Sequence, residues 1–257
     1  PGASPASWES SPSPRGTRRS RVTTRRIPSR EEDTSVTAAE FVPAGATMDK
    51  LRAAARGCTG CELYKGTTQT VFSKGPVGAR LVFVGEQPGD IEDRRGEPFV
   101  GPAGKLLDQA VDEAGLKPSE IYTTNVVKHF KFRMAGDGRR RIHQTPDASD
   151  AAACRPWLLA EFALLSPDVV VALGATAGRA LFGPAFRVTR SRGVLMPWPA
   201  AAVDREAFGH SDDDGDRVSA FAMATLHPSA VLRADDRDAA YAGRVADQWV
   251  AATALDC

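Results

Sequence analysis

Four short apolar runs, Leu81–Gly85, Ile121–Val127, Val169–Leu173 and Ala220–Leu226, are separated by stretches with helical spacing. Each run is too short for a stable helix and is bounded by Gly, Asn, Pro or His, which reads as a buried strand. The intervening segments predict helices over Met48–Arg56, with Met48, Leu51, Ala54 and Ala55 on one side, and over Gly104–Gly115, with Leu106, Leu107, Ala110, Val111 and Ala114 as the apolar face. Further helices are predicted over Asp150–Leu165, Ala175–Leu181 and Asp238–Ala252. Strands alternating with helices make an α/β fold around a mostly parallel sheet with helices on both faces. Such sheets bind ligands at the carboxyl ends of their strands. Three loops fall there: residues 85–90, residues 125–146, most of them a long polar stretch that runs from Lys128 to about Pro146, and residues 227–233.

The chain of 257 residues is 42% hydrophobic, enough for one sizeable core, and its net charge of +1 points to no particular partner. The charge is unevenly spread. Residues 1–30 carry seven arginines against the single acid Glu9, among many Pro and Ser residues. A segment so poor in apolar side chains cannot offset its ordering entropy, so residues 1–46 read as a disordered Arg/Pro/Ser-rich tail and 47–257 as the folded domain. The tail's composition fits a transit peptide, or an upstream extension or tag remnant, since Met48 opens the first helical pattern. Residues 199–217, acidic and glycine-containing, read as a surface insertion. No apolar run approaches the ~20 residues that span a bilayer, and no secretory apolar stretch opens the chain. No membrane contact, a cytoplasmic, nucleoid-associated location and a monomeric state are the expectations.

Four cysteines, Cys58, Cys61, Cys154 and Cys257, should be reduced in that setting. A Cys58-x-x-Cys61 spacing with Cys154 offers three soft ligands to a metal, or a redox pair; the terminal Cys257 is set aside.

Gly85-Glu86-Gln87-Pro88-Gly89-Asp90 followed by Glu97-Pro98-Phe99-Val100-Gly101-Pro102-Ala103-Gly104 resembles the first motif of the iron–sulfur uracil-DNA glycosylases. His227-Pro228-Ser229 is similar to their second motif, and Thr124-Asn125 to their uracil-reading segment, across roughly residues 48–250 and in the right order. Gln87 and the loop Arg139-Arg140-Arg141-Ile142-His143 resemble one subgroup, the UdgX type, with Arg139 where that subgroup usually has Lys. The resemblance implies a three-layer α/β/α fold holding one [4Fe–4S] cluster. Its ligands would be Cys58, Cys61, Cys154 and, in place of a fourth cysteine, His129; zinc bound by the same Cys₃His set is the chemical competitor.

The implied activity is excision of uracil from DNA, single-stranded DNA included. The base is flipped into a pocket, where an aromatic face, an amide and a donor at the departing anion are needed. Phe99, Asn125 and His227 would supply these, with Gln87 joining the uracil-binding set. Lys128, Arg139, Arg140, Arg141 and Ser229 would contact DNA. The UdgX resemblance further implies that His143, assisted by Glu86, attacks the sugar and stays bonded to it. The bland alternatives are a core aromatic for Phe99, a loop cap for Asn125, a strand-end turn residue for His227, a helix-capping or salt-bridging acid for Glu86 and a solvated phosphate-binding face for the arginine run with its lone histidine. A conventional multiple-turnover glycosylase and a non-catalytic iron–sulfur DNA-binding module are the competing functions.

Overall fold

The computed structural model describes residues 37–198 and 220–255. Their centre is a six-stranded sheet ordered β1-β3-β2-β6-β8-β7. Its parallel core comprises β3 (Ile121–Asn125), β2 (Leu81–Gly85), β6 (Val169–Leu173) and β8 (Ala220–Thr225), flanked by the antiparallel edges β1 (Ser73–Lys74) and β7 (Met196–Trp198). The two edge strands, absent from the sequence reading, are two and three residues long, below what periodicity registers.

The central strands have no polar face because both faces are covered. Val82, Val84, Val170, Ala172, Ala222 and Ala224 pack with residues of α1 (Met48–Ala55), α4 (Ala148–Phe162) and α5 (Gly174–Phe182). Leu81, Phe83, Val169, Val171, Leu173 and Met223 alternate with them and meet α3 (Pro102–Glu113) and α8 (Arg237–Leu255). Alternate residues thus serve opposite layers. The chain runs from β2 outward to β3, then crosses back beside β2 to β6 and onward to β8. The direction reverses between β2 and β6, which is where open α/β sheets form their ligand crevice.

Three expectations change. Residues 37–46, assigned to the tail by composition, belong to the fold: Ala38–Phe41 forms a 3₁₀ turn, Ala38 and Ala46 are buried, and Ala38 packs so closely on Gly60 that a Cβ there would meet its backbone N at 2.5 Å. A short helix, α2 (Asp90–Arg95), joins the two halves of the first motif. The stretch from Lys128 to Pro146 is not simply a loop but holds a β-hairpin of β4 (Phe132–Met134) and β5 (Arg141–His143). The first thirty residues, the 199–217 insertion and Cys257 lie outside the described residues. Among the described residues no helix is long and apolar enough to cross a membrane.

Lys128, expected on the DNA face, is 1% exposed and ion-paired with Glu161 of α4. Its ammonium also donates to Thr124 Oγ1 and, at 3.0 Å, to the Asn125 carbonyl, while Glu161 accepts from Tyr122 and Thr124. A charge so placed cannot reach a phosphate; it clamps the end of β3. Glu161→Leu strands that ammonium in the core and should cost about 3–5 kcal/mol, whereas Lys128→Met/Glu161→Leu should recover most of the loss in denaturant titrations.

Candidate active site

At the carboxyl ends of β2 and β3, Gly85 stands beside Asn125 in register. A Cβ at position 85 would meet Asn125 Oδ1 at 2.2 Å and the Phe99 ring at 2.6 Å, so only glycine lets these groups come together. Asn125 is 2% exposed, and its Oδ1 has no hydrogen-bond partner among the described residues. A buried carboxamide oxygen left open costs free energy unless a ligand satisfies it. Phe99 sits over it with φ of 57°, a conformation that a bulky residue adopts only when its surroundings impose it. Two features impose it. A Cβ at Gly104 would lie 1.7 Å from the Phe99 carbonyl, so α3 starts hard against this turn. The buried Glu92 of α2 accepts from the Gly89 and Gly101 backbone N–H groups at 3.1 and 2.7 Å, drawing together the two halves of the motif.

His227 caps the short helix α7 (Pro228–Val231), its ring 6.3 Å from that of Phe99. Ser229 donates its backbone N–H to His227 Nδ1 at 3.2 Å, and its hydroxyl lies 2.8 Å from the same nitrogen. Nδ1 is therefore an acceptor, and the proton of the neutral ring is on Nε2. Burial, reinforced by Arg244, His143 and Arg233, pulls the His227 pKa down to about 3. The result is a neutral donor. Ser229, expected to touch DNA, serves here to orient His227.

The hairpin brings a second group of residues to the same crevice. His143 lies opposite Phe132 in register, its side chain 49% exposed, with Nε2 3.5 Å from Glu86 Oε1. Gln87 Oε1 accepts from the Lys131 backbone N–H at 2.7 Å, which fixes the amide orientation. Its Nε2 then faces the carbonyls of Lys131 and Gln144 at 3.2 and 2.9 Å and His143 Nε2 at 2.8 Å. Expected in the uracil-binding set, Gln87 is spent instead on holding the hairpin and its histidine. As a donor to His143 Nε2, it places the imidazole proton on Nδ1. Burial, the largest influence on His143, lowers its pKa; Glu86 pulls it up, and Arg233 presses it further down.

The arginine run divides. Arg139 and Arg140 are exposed at the hairpin turn. Arg141 points the other way, its side chain 12% exposed, between Asp90 and the fully buried Asp93, with its guanidinium 5.4 and 5.0 Å from the Phe130 and Phe132 rings. Both its charge and its flat face are engaged, so it is a structural pin and not a phosphate contact.

Cys58 and Cys61 from one loop, His129 after β3 and Cys154 of α4 approach one another from three segments. Cys61 Sγ is 3.8 Å from His129 Nδ1, Cys154 Sγ accepts from the Lys128 backbone N–H at 3.3 Å, and Trp157 Nε1 donates to Cys58 Sγ at 3.2 Å. Cys154 lies in the second turn of α4, not at its start. Thr70 donates its hydroxyl to the Ala55 carbonyl, so its oxygen accepts from His129 Nε2 at 3.0 Å, leaving the His129 Nδ1 lone pair towards Cys61. Burial holds the His129 pKa down at about 4, so the ring is neutral, as ligation requires. Among the described residues no three such side chains are gathered around a single ion.

Residues 72–248 match the sequence pattern of the uracil DNA glycosylase superfamily. The chain belongs to the uracil DNA glycosylase superfamily. It is 38% identical over 187 residues to the type-4 uracil-DNA glycosylase of Thermotoga maritima, covering 72% of this chain and 83% of that protein. It is 33% identical over 157 residues to the type-4 enzyme of Sulfurisphaera tokodaii, covering 59% and 67% respectively, and 35% identical over 136 residues to that of Archaeoglobus fulgidus, covering 53% and 64%.

Several residues around the superfamily's crevice escape sequence reasoning. Thr176, near the start of α5, donates its hydroxyl to Glu86 across the gap between β2 and β6. In sequence Asp90 has only a place in the first motif, and Glu92, Asp93 and Phe130 have none; their long-range partners alone mark them. Arg141→Gln leaves the Asp93 carboxylate buried and unpaired, so the amides of Phe132 and Ile142 should exchange with deuterium about 10–100-fold faster, with the sheet amides unaffected.

Proposed function

We propose that this chain excises uracil from DNA and is then captured on the resulting sugar through His143. The observation that carries the excision reading is the open, buried Asn125 carboxamide beside Phe99, whose ring lies 6.3 Å from that of His227, a neutral donor. A flipped uracil would stack on Phe99, exchange hydrogen bonds with the Asn125 amide and receive the His227 Nε2–H at its carbonyl. The N1–C1′ bond breaks with its electron pair remaining on uracil. The donor from His227 stabilises that anion, which later takes a proton from water.

The capture reading rests on the placement of His143 beside Glu86 and Gln87. Its Nε2 lone pair, released from Gln87, forms the bond to C1′ of the electron-poor sugar. The resulting imidazolium loses its Nδ1 proton to solvent. Glu86, oriented by Thr176, lies where a carboxylate stabilises the sugar cation and then the imidazolium. A neutral N-alkyl imidazole is a poor leaving group, so turnover stops. The exposed Arg139 and Arg140 supply phosphate contacts.

The donor set of three thiols and a neutral imidazole fits an iron–sulfur cluster, with Cys58, Cys61, Cys154 and His129 Nδ1 as its ligands. A cluster there would supply rigidity, tying α1, α4 and the base of the hairpin together.

Wild-type protein mixed with uracil-containing DNA should give one equivalent of a complex that survives a denaturing gel. His143→Ala should not crosslink, and His143→Gly should release free uracil with turnover because water fits in the space. Crosslinking by His143→Ala at the wild-type rate would remove the capture reading; wild type that liberates no uracil would remove the excision reading.

A lowered His143 pKa keeps the nucleophile neutral further into acid. Single-turnover crosslinking should therefore stay level as pH falls from 8 through the usual histidine value of about 6.5 and decline only below it. Purified protein should be brown, with about four irons per chain, and should keep them in His129→Cys, since thiolate is the softer ligand. Colourless protein with stoichiometric zinc would exclude the cluster.

A further inference from the structure

Arg244, midway along α8, is fully buried, and it points at the carboxyl end of β8. Its Nη1 donates to the Leu226 carbonyl, the residue immediately before His227. Its Nε and Nη2 have no hydrogen-bond partner among the described residues, and neither has either amide atom of the buried Gln248, one turn further on. The carboxylate of Asp247 is engaged elsewhere: Arg192 donates to it at 3.0 Å, and so does the Thr225 hydroxyl. A fully buried guanidinium with one carbonyl partner is costly, and nothing in the packing of α8 calls for it. A leucine or methionine would fill the same space without a desolvation penalty.

The carbonyl that Arg244 holds immediately precedes His227, and its charge acts on that ring. We propose that Arg244 is a positioning residue of the leaving-base site, fixing the carbonyl that precedes His227 and setting a permanent positive charge behind the imidazole that meets the departing uracil. This rests on the excision reading above and extends it. The charge acts twice, and in the same direction. It opposes protonation of His227, so that the ring meets the base as a neutral donor. It also lowers the energy of the anion forming on the far side of that ring, in a setting where little water screens it.

Burial and Arg244, in that order, hold the His227 pKa down, with His143 from β5 and Arg233 beyond α7 adding to them; the Ser229 N–H and hydroxyl face Nδ1. Arg244 itself is drawn down by burial to about 10, partly restored by Asp247 and Tyr241, and so remains a cation at neutral pH.

Two variants separate charge from scaffolding. Arg244→Gln keeps a donor for the Leu226 carbonyl and removes the charge; Arg244→Lys keeps the charge. The ring nitrogens of His227 are followed by NMR in the free, histidine-labelled full chain, in which four histidines are resolved by subtracting a His227→Gln spectrum. Wild type should show no titration of His227 between pH 8 and 5. Arg244→Gln should move its midpoint up by at least one unit, a tenfold gain in proton affinity, and slow single-turnover uracil release about 10–100-fold with DNA affinity within twofold of wild type. Arg244→Lys should restore both. The proposal is overturned if wild-type His227 titrates above pH 5, if folded Arg244→Gln leaves the midpoint and the release rate unmoved, or if Arg244→Lys is as impaired as Arg244→Gln. Wild type that releases no uracil removes the excision reading, while the His227 titration still reads the role of Arg244 independently.

Discussion

The crevice depends on a missing side chain. Position 85 has no room for a Cβ, because Asn125 and the Phe99 ring occupy that space from two directions. With glycine there, the Asn125 amide and the Phe99 ring both close on the end of β2. Everything around it maintains that encounter. Lys128 clamps the Asn125 carbonyl from inside the core. Glu92 and Gly104 force Phe99 into its left-handed turn. The parallel register of β2 and β3 then aligns Gly85 with Asn125.

Around this crevice the molecule uses buried charge to hold geometry. Lys128 and Glu161 lock β3 to α4. Asp90 and Asp93 hold Arg141 and hence the hairpin that carries His143. Each pair is expensive to bury and gains little net stability over an apolar packing of the same volume, but each specifies one arrangement, since any slip leaves a charge unpaired. Arg244 differs from these pairs in lacking a carboxylate salt bridge of its own among the described residues; its one bonded partner is the Leu226 carbonyl.

Burial is the largest influence lowering the pKa of both His143 and His227. Their tautomers differ because their partners differ. A backbone N–H at Nδ1 of His227 leaves its outer nitrogen a donor. The Gln87 amide at Nε2 of His143 makes that nitrogen an acceptor. Two identical side chains thus differ in hydrogen-bonding character because of the groups that contact them.

The four central strands, the helices between them and the three loops at the strand ends were legible in the sequence, because apolar runs and helical spacing are local signals. So were Asn125, Phe99, His227 and His143 as candidates, through their place in ordered motifs. Arg141, Lys128 and Gln87 were not legible in their actual roles. As sequence, Arg141 is one of three adjacent arginines, and nothing in its neighbours separates it from Arg139 and Arg140. Ion pairs to Asp90 and Asp93, 51 and 48 residues away in sequence, turn it inward. Lys128 reads as the start of a polar loop until Glu161, 33 residues on, is brought beneath it. The sequence by itself determined which elements form and which residue types stand at their ends. Only the tertiary structure decided which polar groups face the crevice and which face one another, because burial and ion pairing depend on partners that the chain's local pattern does not encode.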